Sequence, residues 1–231
     1  MQPPTLTPIR TEGERKRMVT TQIEARGIVD ARVLEAMREV PREAFVPRSL
    51  AQLAYEDGPL AIGHGQTISQ PYVVAAMTAA AEVKPGDRVL EIGTGSGYGA
   101  AVLARIAAEV YTVERIAALA EEARGRLAGL GYSTVHVREG DGSLGWPEHA
   151  PYDAILVTAS GPRVPKALLH QMAVGARLVM PVGSASSQRL VRVIRSEEHE
   201  YEYQDLEPVV FVPLIGAEGW PEGGASCTST S

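Results

Sequence analysis

The sequence predicts an α/β fold in which a mostly parallel, Rossmann-like sheet follows a helical N-terminal region. Beyond residue 83, short apolar runs alternate with helix-like segments, an order typical of βαβ units and a parallel sheet. The first, second and fourth runs are almost continuously apolar, as strands buried on both faces are. A glycine-rich turn follows the first run directly, where such folds bend sharply from strand to helix.

The N-terminal part is expected to be helical up to about residue 53, with proline-rich residues before it. Asp30 is a good N-cap for one helix, and Pro41 ends that helix. Residues 55–70 carry turn and loop signals, and another helix is predicted from Pro71 to about residue 81. The predicted regions are a flexible N-terminus (1–10), a helical region with a loop (11–82), the sheet domain (83–215) and a disordered tail (216–231).

Inside the sheet domain the apolar pattern predicts five strands, three helices and an antiparallel C-terminal edge. The strands are Arg88–Ile92, Val110–Val113, Thr134–Val137, Asp153–Thr158 and Arg177–Pro181; the helices are Ala100–Ala107, Ile116–Leu130 and Val164–Met172. Apolar and charged residues then alternate over Arg189–Arg195, and Val209–Leu214 is apolar. With no convincing helix between them, these two segments are predicted to form the antiparallel pair.

Composition and charge exclude several classes of protein. The chain has 231 residues, of which 45% are hydrophobic, and this supports a real core rather than a disordered chain. A net charge of −6 gives no general attraction for phosphate backbones, so nucleic acid is not an expected partner. No apolar run reaches about 18 residues, which argues against a membrane span. The sequence does not determine the oligomeric state, and a monomer is the expectation.

Cysteine and histidine usage adds further expectations. Cys227 is the only cysteine, so an internal disulfide is impossible and a reducing compartment is expected. The five histidines show no ligand spacing, and no metal is predicted. Residues 1–17 contain no apolar segment of the secretory kind, so the cytoplasm is the expected location.

The glycine-rich turn reads Glu-Ile-Gly-Thr-Gly-Ser-Gly-Tyr over residues 91–98. Glycines at such a turn let a ligand approach the backbone closely. A dinucleotide fingerprint needs a glycine where Tyr98 stands, so a pyrophosphate cofactor is disfavoured. The spacing Glu-x-Gly-x-Gly-x-Gly is the form seen in S-adenosylmethionine-dependent methyltransferases, so S-adenosyl-L-methionine is the expected cofactor. The predicted contacts from this turn are Glu91, Gly93, Thr94, Gly95, Ser96 and Gly97.

Two later acids extend the predicted cofactor site. Glu114 ends the second strand 19 residues after Gly95, where a carboxylate can accept hydrogen bonds from both ribose hydroxyls. The adjacent Arg115 is also a predicted cofactor contact. Asp141 can accept from the adenine amino group, and the adjacent Gly142 allows close approach. The alternatives are a surface acid at Glu114 and an ordinary Asp-Gly turn at Asp141. For Glu114 the nearby glycine turn favours the ribose role.

Five segments resemble, in order and spacing, the protein-L-isoaspartate O-methyltransferase family, over approximately residues 15–215. They are Gly65–Pro71, Val89–Gly97, Tyr152–Thr158, Arg177–Gly183 and Phe211–Leu214. The cofactor motifs occur in many methyltransferases, whereas Gln-Thr-Ile-Ser-Gln-Pro and Phe-Val-Pro-Leu are family-specific. The resemblance implies methyl transfer to the α-carboxyl of L-isoaspartyl residues in damaged proteins and peptides. The ester then collapses to a succinimide without the enzyme, and hydrolysis restores some normal aspartate.

The resemblance also implies roles for individual residues. Ser69 matches the family's essential serine, and Gln66, Thr67 and Ile68 are expected to contact the cofactor. The peptide is expected to be held largely by main-chain hydrogen bonds. Its predicted contacts are Thr67, Ser69, Val210, Val212 and Leu214.

The chemistry of this reaction explains why so few polar residues are needed. A carboxylate with a pKa of about 4 is already ionised at neutral pH, so no general base is required and positioning remains. Ser69 is expected to donate to one carboxylate oxygen and leave the other facing the methyl group. No Gly-x-Ser-x-Gly elbow surrounds Ser69, which argues against a nucleophilic role. The alternative is that Ser69 caps the helix beginning at Pro71, and the two roles are compatible.

Other functions are disfavoured but stay open. Methyltransferases acting on DNA amino groups use Asp/Asn/Ser-Pro-Pro-Tyr/Phe, which residues 69–72 match except at Gln70. That tetrapeptide should close the fourth strand, which here ends at Thr158. A small-molecule methyltransferase is a further alternative, and Tyr98 disfavours a dinucleotide-dependent oxidoreductase. A non-catalytic binding module is another alternative; such a protein would bind the cofactor but would not transfer a methyl group to any peptide.

Overall fold

The computed structural model describes residues 11–184 and 186–223. The strands are β1 (Leu60–Gly63), β2 (Gln66–Ile68), β3 (Arg88–Ile92), β4 (Glu109–Glu114), β5 (Val135–Glu139), β6 (Tyr152–Val157), β7 (Met172–Ser184), β8 (Ser187–Glu197) and β9 (Glu200–Val209). The α-helices are α1 (Thr11–Met18), α2 (Ala31–Glu39), α3 (Pro71–Ala80), α4 (Tyr98–Ala104), α5 (Ala117–Gly129) and α6 (Lys166–His170). Within these ranges no helix is both long and apolar enough to cross a membrane.

The central sheet has seven strands in the order β5-β4-β3-β6-β7-β8-β9. The strands β5, β4, β3, β6 and β7 run parallel to one another, whereas β8 and β9 form an antiparallel edge. This confirms the predicted Rossmann-like α/β fold. The chain runs outward from β3 in one direction and from β6 in the other, and ligands of such sheets bind at the carboxyl ends of the strands where the order reverses.

Successive side chains of the central strands enter two separate cores. Val89 packs with α2 to α5 on one face, and its neighbour Leu90 packs with Leu168 of α6 on the other. Both faces of the sheet are therefore covered, which explains the continuous apolar runs in the sequence.

The N-terminal region confirms one predicted cap and adds an unpredicted hairpin. Asp30 accepts a hydrogen bond from the Arg32 N–H at 2.9 Å and begins α2. The predicted loop contains the antiparallel strands β1 and β2, with Leu60 opposite Ile68. Strands of 4 and 3 residues are too short to show a period of two, so the sequence shows only the turn between them.

The C-terminal strand lies earlier in the chain than predicted. The edge strand β9 ends at Val209, so the predicted strand over Val209–Leu214 is wrong. β9 is rich in charged residues because much of it is exposed, and an apolar run therefore does not reveal it. Residues Phe211–Leu214 leave the sheet and run beside the end of β6 through a parallel bridge between Ser160 and Pro213.

Helix α6 is also shorter than the predicted Val164–Met172. Pro165 restricts the residue before it to extended backbone, and Met172 already belongs to β7. Each other strand and helix predicted for the core overlaps an observed one.

The beginning of the predicted disordered tail forms a hydrogen-bonded turn. The Trp220 N–H donates to the Leu214 carbonyl at 2.7 Å, and the Gly216 N–H donates to the Trp220 carbonyl at 3.1 Å. The prediction is therefore wrong for residues 216–223, because Trp220 anchors a segment whose glycine content suggested disorder. The predictions for residues 1–10 and 224–231, including Cys227, lie outside the described residues.

Candidate active site

A crevice lies at the carboxyl ends of β3, β4 and β6, between α3 and the segment that follows β9. It brings together most of the residues predicted for the cofactor and the substrate. These are Gln66, Thr67, Ile68, Ser69, Glu91, Gly93, Thr94, Gly95, Ser96, Glu114, Arg115, Gly142, Val212 and Leu214.

The glycine-rich turn is packed tightly against the end of β6. Gly93 has a φ of +93°, and a Cβ at this position would overlap the hydroxyl of Thr158. That hydroxyl donates to the carbonyls of Ile92 and Gly93 at 3.0 and 2.9 Å. Only glycine therefore fits here without displacing a hydroxyl that fixes the floor of the crevice.

Glu114 is held in one orientation by the backbone. Its two carboxylate oxygens accept hydrogen bonds from the Gly95 and Ile116 N–H groups, each at 2.9 Å. The residue is only 7% exposed, yet it lines the crevice. A carboxylate oxygen can accept more than one hydrogen bond, so Glu114 can still receive two ligand hydroxyls.

Glu91 is more deeply buried and lies at the end of a chain of hydroxyl groups. The Thr112 hydroxyl donates to Glu91 Oε2 at 2.6 Å and lies 2.7 Å from the Thr94 hydroxyl. Burial raises the pKa of Glu91 to about 8, and the charge of Glu114 adds to this rise, while the Thr112 hydrogen bond opposes it. No basic side chain of the described residues forms a hydrogen bond or ion pair with Glu91.

The pKa of Glu91 makes the stability of the cofactor-free protein depend on pH. Between pH 4.5 and about pH 8 the folded state holds a proton that the unfolded state has lost. The contribution of Glu91 to the free energy of unfolding therefore falls as pH rises, by at most about 1.4 kcal/mol per pH unit. We expect Glu91→Gln to gain stability relative to the wild type across this window, measured by urea unfolding without cofactor. A difference that stays constant with pH would contradict the burial effect.

Ser69 lies between β2 and α3 and is half-buried. Its hydroxyl forms no hydrogen bond with any described residue. The N-cap of α3 is Gln70, whose side chain makes no capping bond and donates instead to the Asp57 carbonyl at 3.3 Å. The capping alternative for Ser69 is therefore not adopted. The residue also precedes α3 rather than closing β6, which is not the placement that the DNA-methyltransferase tetrapeptide requires.

The opposite wall is the segment Phe211–Leu214. The side-chain amide of Gln188 donates to the Phe211 carbonyl at 3.1 Å and accepts from its N–H at 2.7 Å. The Ser160 N–H donates to the Val212 carbonyl, and the Leu214 N–H donates to the Ser160 carbonyl, both at 2.8 Å. Among described residues, the Val212 N–H has no hydrogen-bond partner.

Three predicted residues lie outside the lining of the crevice. Gly97 is the N-cap of α4 and faces Leu127 of α5. Val210 is 90% exposed. Both oxygens of Asp141 accept hydrogen bonds from the protein, one of them from Ala217 in the turn after the sheet.

Sequence reasoning missed Thr112 and Thr158, which hold Glu91 and the glycine turn. Thr112 is a fully buried polar residue in the interior of β4, and Thr158 directly follows β6. A lone hydroxyl in or at the end of a buried parallel strand was the available signal. Ile215, which also lines the crevice, had no such signal.

The charge of the crevice tests which cofactor it fits. Two buried acids line it, Glu114 and Glu91, and a positive charge bound beside Glu91 would favour its ionised form. The one basic residue of the lining, Arg115, forms an ion pair with Glu222 at 3.7 Å. This set is unfavourable for a pyrophosphate and favourable for a ligand that carries hydroxyls and positive charge. S-adenosyl-L-methionine has both, and the residues present fit it.

Comparisons with known proteins agree. The model of the family described as protein-L-isoaspartate(D-aspartate) O-methyltransferase matches residues 13–219. The chain is 61% identical over 210 residues to protein-L-isoaspartate O-methyltransferase 2 of Pelobacter propionicus, covering 90% of this chain and 93% of that protein. A solved protein-L-isoaspartate O-methyltransferase superposes with a TM-score of 0.80 at 30% identity, covering 89% of this chain and 67% of the other.

A second solved structure, from Plasmodium falciparum, carries S-adenosyl-L-homocysteine and is described as a protein of the same kind. Its TM-score is 0.76 at 24% sequence identity, and the match covers 87% of this chain and 98% of that one. At this identity the likeness shows the fold alone. The resemblance seen in the sequence is confirmed by the family match and by the bacterial relative. This chain belongs to the protein-L-isoaspartate(D-aspartate) O-methyltransferase family.

Proposed function

We propose that this chain is a protein-repair methyltransferase that transfers a methyl group from S-adenosyl-L-methionine to the α-carboxyl of L-isoaspartyl residues in damaged proteins and peptides. One observation carries this proposal. The unengaged hydroxyl of Ser69 and the buried carboxylates of Glu91 and Glu114 face one crevice in a member of this family.

The cofactor, when bound, supplies a methyl group already activated by a positively charged sulfur. Glu114, with its oxygens already oriented by two backbone N–H groups, is the residue we assign to the ribose hydroxyls. Glu91 is a buried acid without a basic partner among the described residues, so we assign it to the positively charged end of the cofactor. The remaining contacts come from residues 66–68, residues 93–96, Arg115 and Gly142.

The substrate carboxylate needs orientation and no proton transfer. Ser69 can donate its hydroxyl hydrogen to one carboxylate oxygen, and the Val212 N–H, from the opposite wall, can donate as well. The other lone pairs of the carboxylate then face the methyl group. Holding the reacting atoms in this way can contribute several kcal/mol to lowering the barrier.

Main-chain groups suit an enzyme that must accept many sequences around one abnormal linkage. The wall segment offers the Val212 N–H as a donor and the Pro213 carbonyl as an acceptor, and neither has a partner among the described residues. Thr67 and Leu214 border the same opening. Val210, although exposed, lies directly before this wall and stays a proposed peptide contact.

The decisive experiment compares two peptides that differ in one linkage. We expect methyl groups from labelled S-adenosyl-L-methionine to enter an isoaspartyl peptide and not its normal aspartyl twin, whose α-carboxyl is in a peptide bond. With the cofactor at saturation, the rate should stay nearly flat from about pH 6 to pH 8, because the nucleophile is already ionised. Equal labelling of both peptides, or of neither, would contradict the proposal.

We also propose a cytoplasmic location and a monomeric state. The single cysteine supports the first because it excludes an internal disulfide. Size-exclusion chromatography with light scattering tests the second, and a mass near twice 24.7 kDa would contradict it.

A further inference from the structure

The wall segment, residues Phe211–Leu214, leaves the sheet in an extended form. Phe211 packs against the core that contains Val89, whereas Val212 and Leu214 pack against the core on the other face of the sheet. Successive side chains thus point to opposite sides, as they do in a β-strand. Because β9 ends at Val209, no ladder of the sheet continues along this segment, and other groups must hold its main chain.

Gln188 holds the beginning of the wall segment. It lies on β8 directly opposite Val209, the last residue of β9. Beyond this pair its side-chain amide donates to the Phe211 carbonyl at 3.1 Å and accepts from the Phe211 N–H at 2.7 Å. An amide side chain offers a donor and an acceptor side by side, so it can satisfy both main-chain groups of one residue. The Gln188 side chain therefore takes the place of a neighbouring strand at Phe211.

The position of Gln188 is itself closely fixed. The residue is only 6% exposed and pairs with Gly183 of β7 on its other side. Gly183 has a φ of +148°, and a Cβ there would overlap the Ser187 carbonyl and crowd the Gln188 Cα. Glycine is therefore required for β7 and β8 to meet at this point. The amide that holds Phe211 thus projects from a rigid part of the sheet.

The wall segment has seven polar main-chain groups, one N–H and one carbonyl for each residue except Pro213, which has no N–H. Two of them, the Val212 N–H and the Pro213 carbonyl, have no partner among the described residues. The other five bond with the Gln188 side chain or with main-chain groups of Ser160 and Trp220. The two groups left over are the two that we assign to the peptide, so the protein uses all the others to hold the segment.

We infer that Gln188 is a positioning residue that fixes the main chain of Phe211 and thereby presents the Val212 N–H and the Pro213 carbonyl to the isoaspartyl peptide. This inference rests on the peptide part of the proposed function. Gln188 does not line the crevice itself and acts through Phe211. Because Leu214 is held separately by Ser160, loss of the Gln188 amide should loosen the peptide end of the segment and spare the rest of the crevice.

Gln188→Leu removes both hydrogen bonds and keeps a side chain of similar size. We expect KM for the isoaspartyl peptide, at saturating S-adenosyl-L-methionine, to rise about tenfold, because the peptide must then order the segment as it binds. The change in kcat should be smaller, and the affinity for S-adenosyl-L-homocysteine, measured by calorimetry, should stay within about twofold of the wild type. Gln204→Leu on β9 is the matched control. It removes an amide that accepts from the Arg192 guanidinium, away from the wall segment, and should leave KM unchanged.

Gln188→Glu tests whether the donor and the acceptor are both needed. A protonated carboxyl offers the same pair of groups as the amide, whereas an ionised one can only accept. Burial raises the pKa of a carboxyl, so KM of this variant should be high at about pH 8 and fall toward the wild-type value as the pH is lowered to about 6. The wild-type KM should stay constant over this range. If Gln188→Leu does not fold, this comparison carries the test alone.

A higher KM in Gln188→Leu with cofactor affinity retained, or recovery of Gln188→Glu at low pH, supports the inference. A wild-type KM in Gln188→Leu, a KM of Gln188→Glu that does not change with pH, or an equal loss of S-adenosyl-L-homocysteine affinity overturns it. The wild-type protein is assayed first with the same peptide. If it transfers no methyl group, the proposed function fails and the inference falls with it; if it does and Gln188→Leu behaves identically, the inference alone fails.

Discussion

Ser69→Ala is expected to lower kcat for the isoaspartyl peptide by about 100-fold, the size of effect that follows when a reacting group loses its positioning contact. The Ser69 hydroxyl has no partner among the described residues, so its removal breaks no hydrogen bond of the fold. Cofactor affinity, measured by calorimetry, should change little. The loss should therefore appear in turnover, with the folded protein and its cofactor site intact.

Ser69→Thr is the matched control, because it keeps the hydroxyl and adds one methyl group. We expect it to retain part of the activity if the half-buried site accepts that methyl. A Ser69→Ala enzyme with wild-type turnover would remove Ser69 from the active site. A large loss of cofactor affinity in the same variant would instead place Ser69 in the cofactor site.

The sheet could be predicted because its strands are buried on both faces. Residues 89–92 alternate between two cores, so each position is apolar except Glu91, which lines the crevice. The carboxyl ends of such strands meet at one edge, and this brings Glu91, Gly93 and Glu114 together from separate motifs. A residue at the carboxyl end of one of these parallel strands can therefore be predicted to lie at the crevice.

Elements with an exposed side could not be predicted in the same way. β9 carries charged residues along a free edge, and the hairpin β1–β2 is too short to show a period. The hydrogen bond that Asp141 accepts from the Ala217 N–H joins residues that are distant in sequence, so no local pattern reveals it. An Asp between glycines looks the same whether it contacts a ligand or another loop.

Glu114→Ala is expected to weaken S-adenosyl-L-homocysteine binding by about 100-fold or more, because two charged hydrogen bonds of about 1.5–3 kcal/mol each are lost. The structure adds a complication, since Glu114 also accepts from the Gly95 and Ile116 N–H groups. Its removal therefore also loosens the glycine turn, and a weaker affinity alone would not demonstrate contact with the ribose. Glu121→Ala, on the exposed side of α5, is the control and should leave affinity unchanged.

A ligand modification separates these two effects. The 2′-deoxyribose form of S-adenosyl-L-homocysteine lacks one hydroxyl that we assign to Glu114, so wild-type protein should bind it more weakly than the parent ligand. In Glu114→Ala the partner of that hydroxyl is already gone, and removing the hydroxyl should cost much less. This non-additivity is the signature of direct contact between two groups. Equal losses in both proteins would assign Glu114 to supporting the turn through Gly95 and Ile116 and would leave the ribose to other residues.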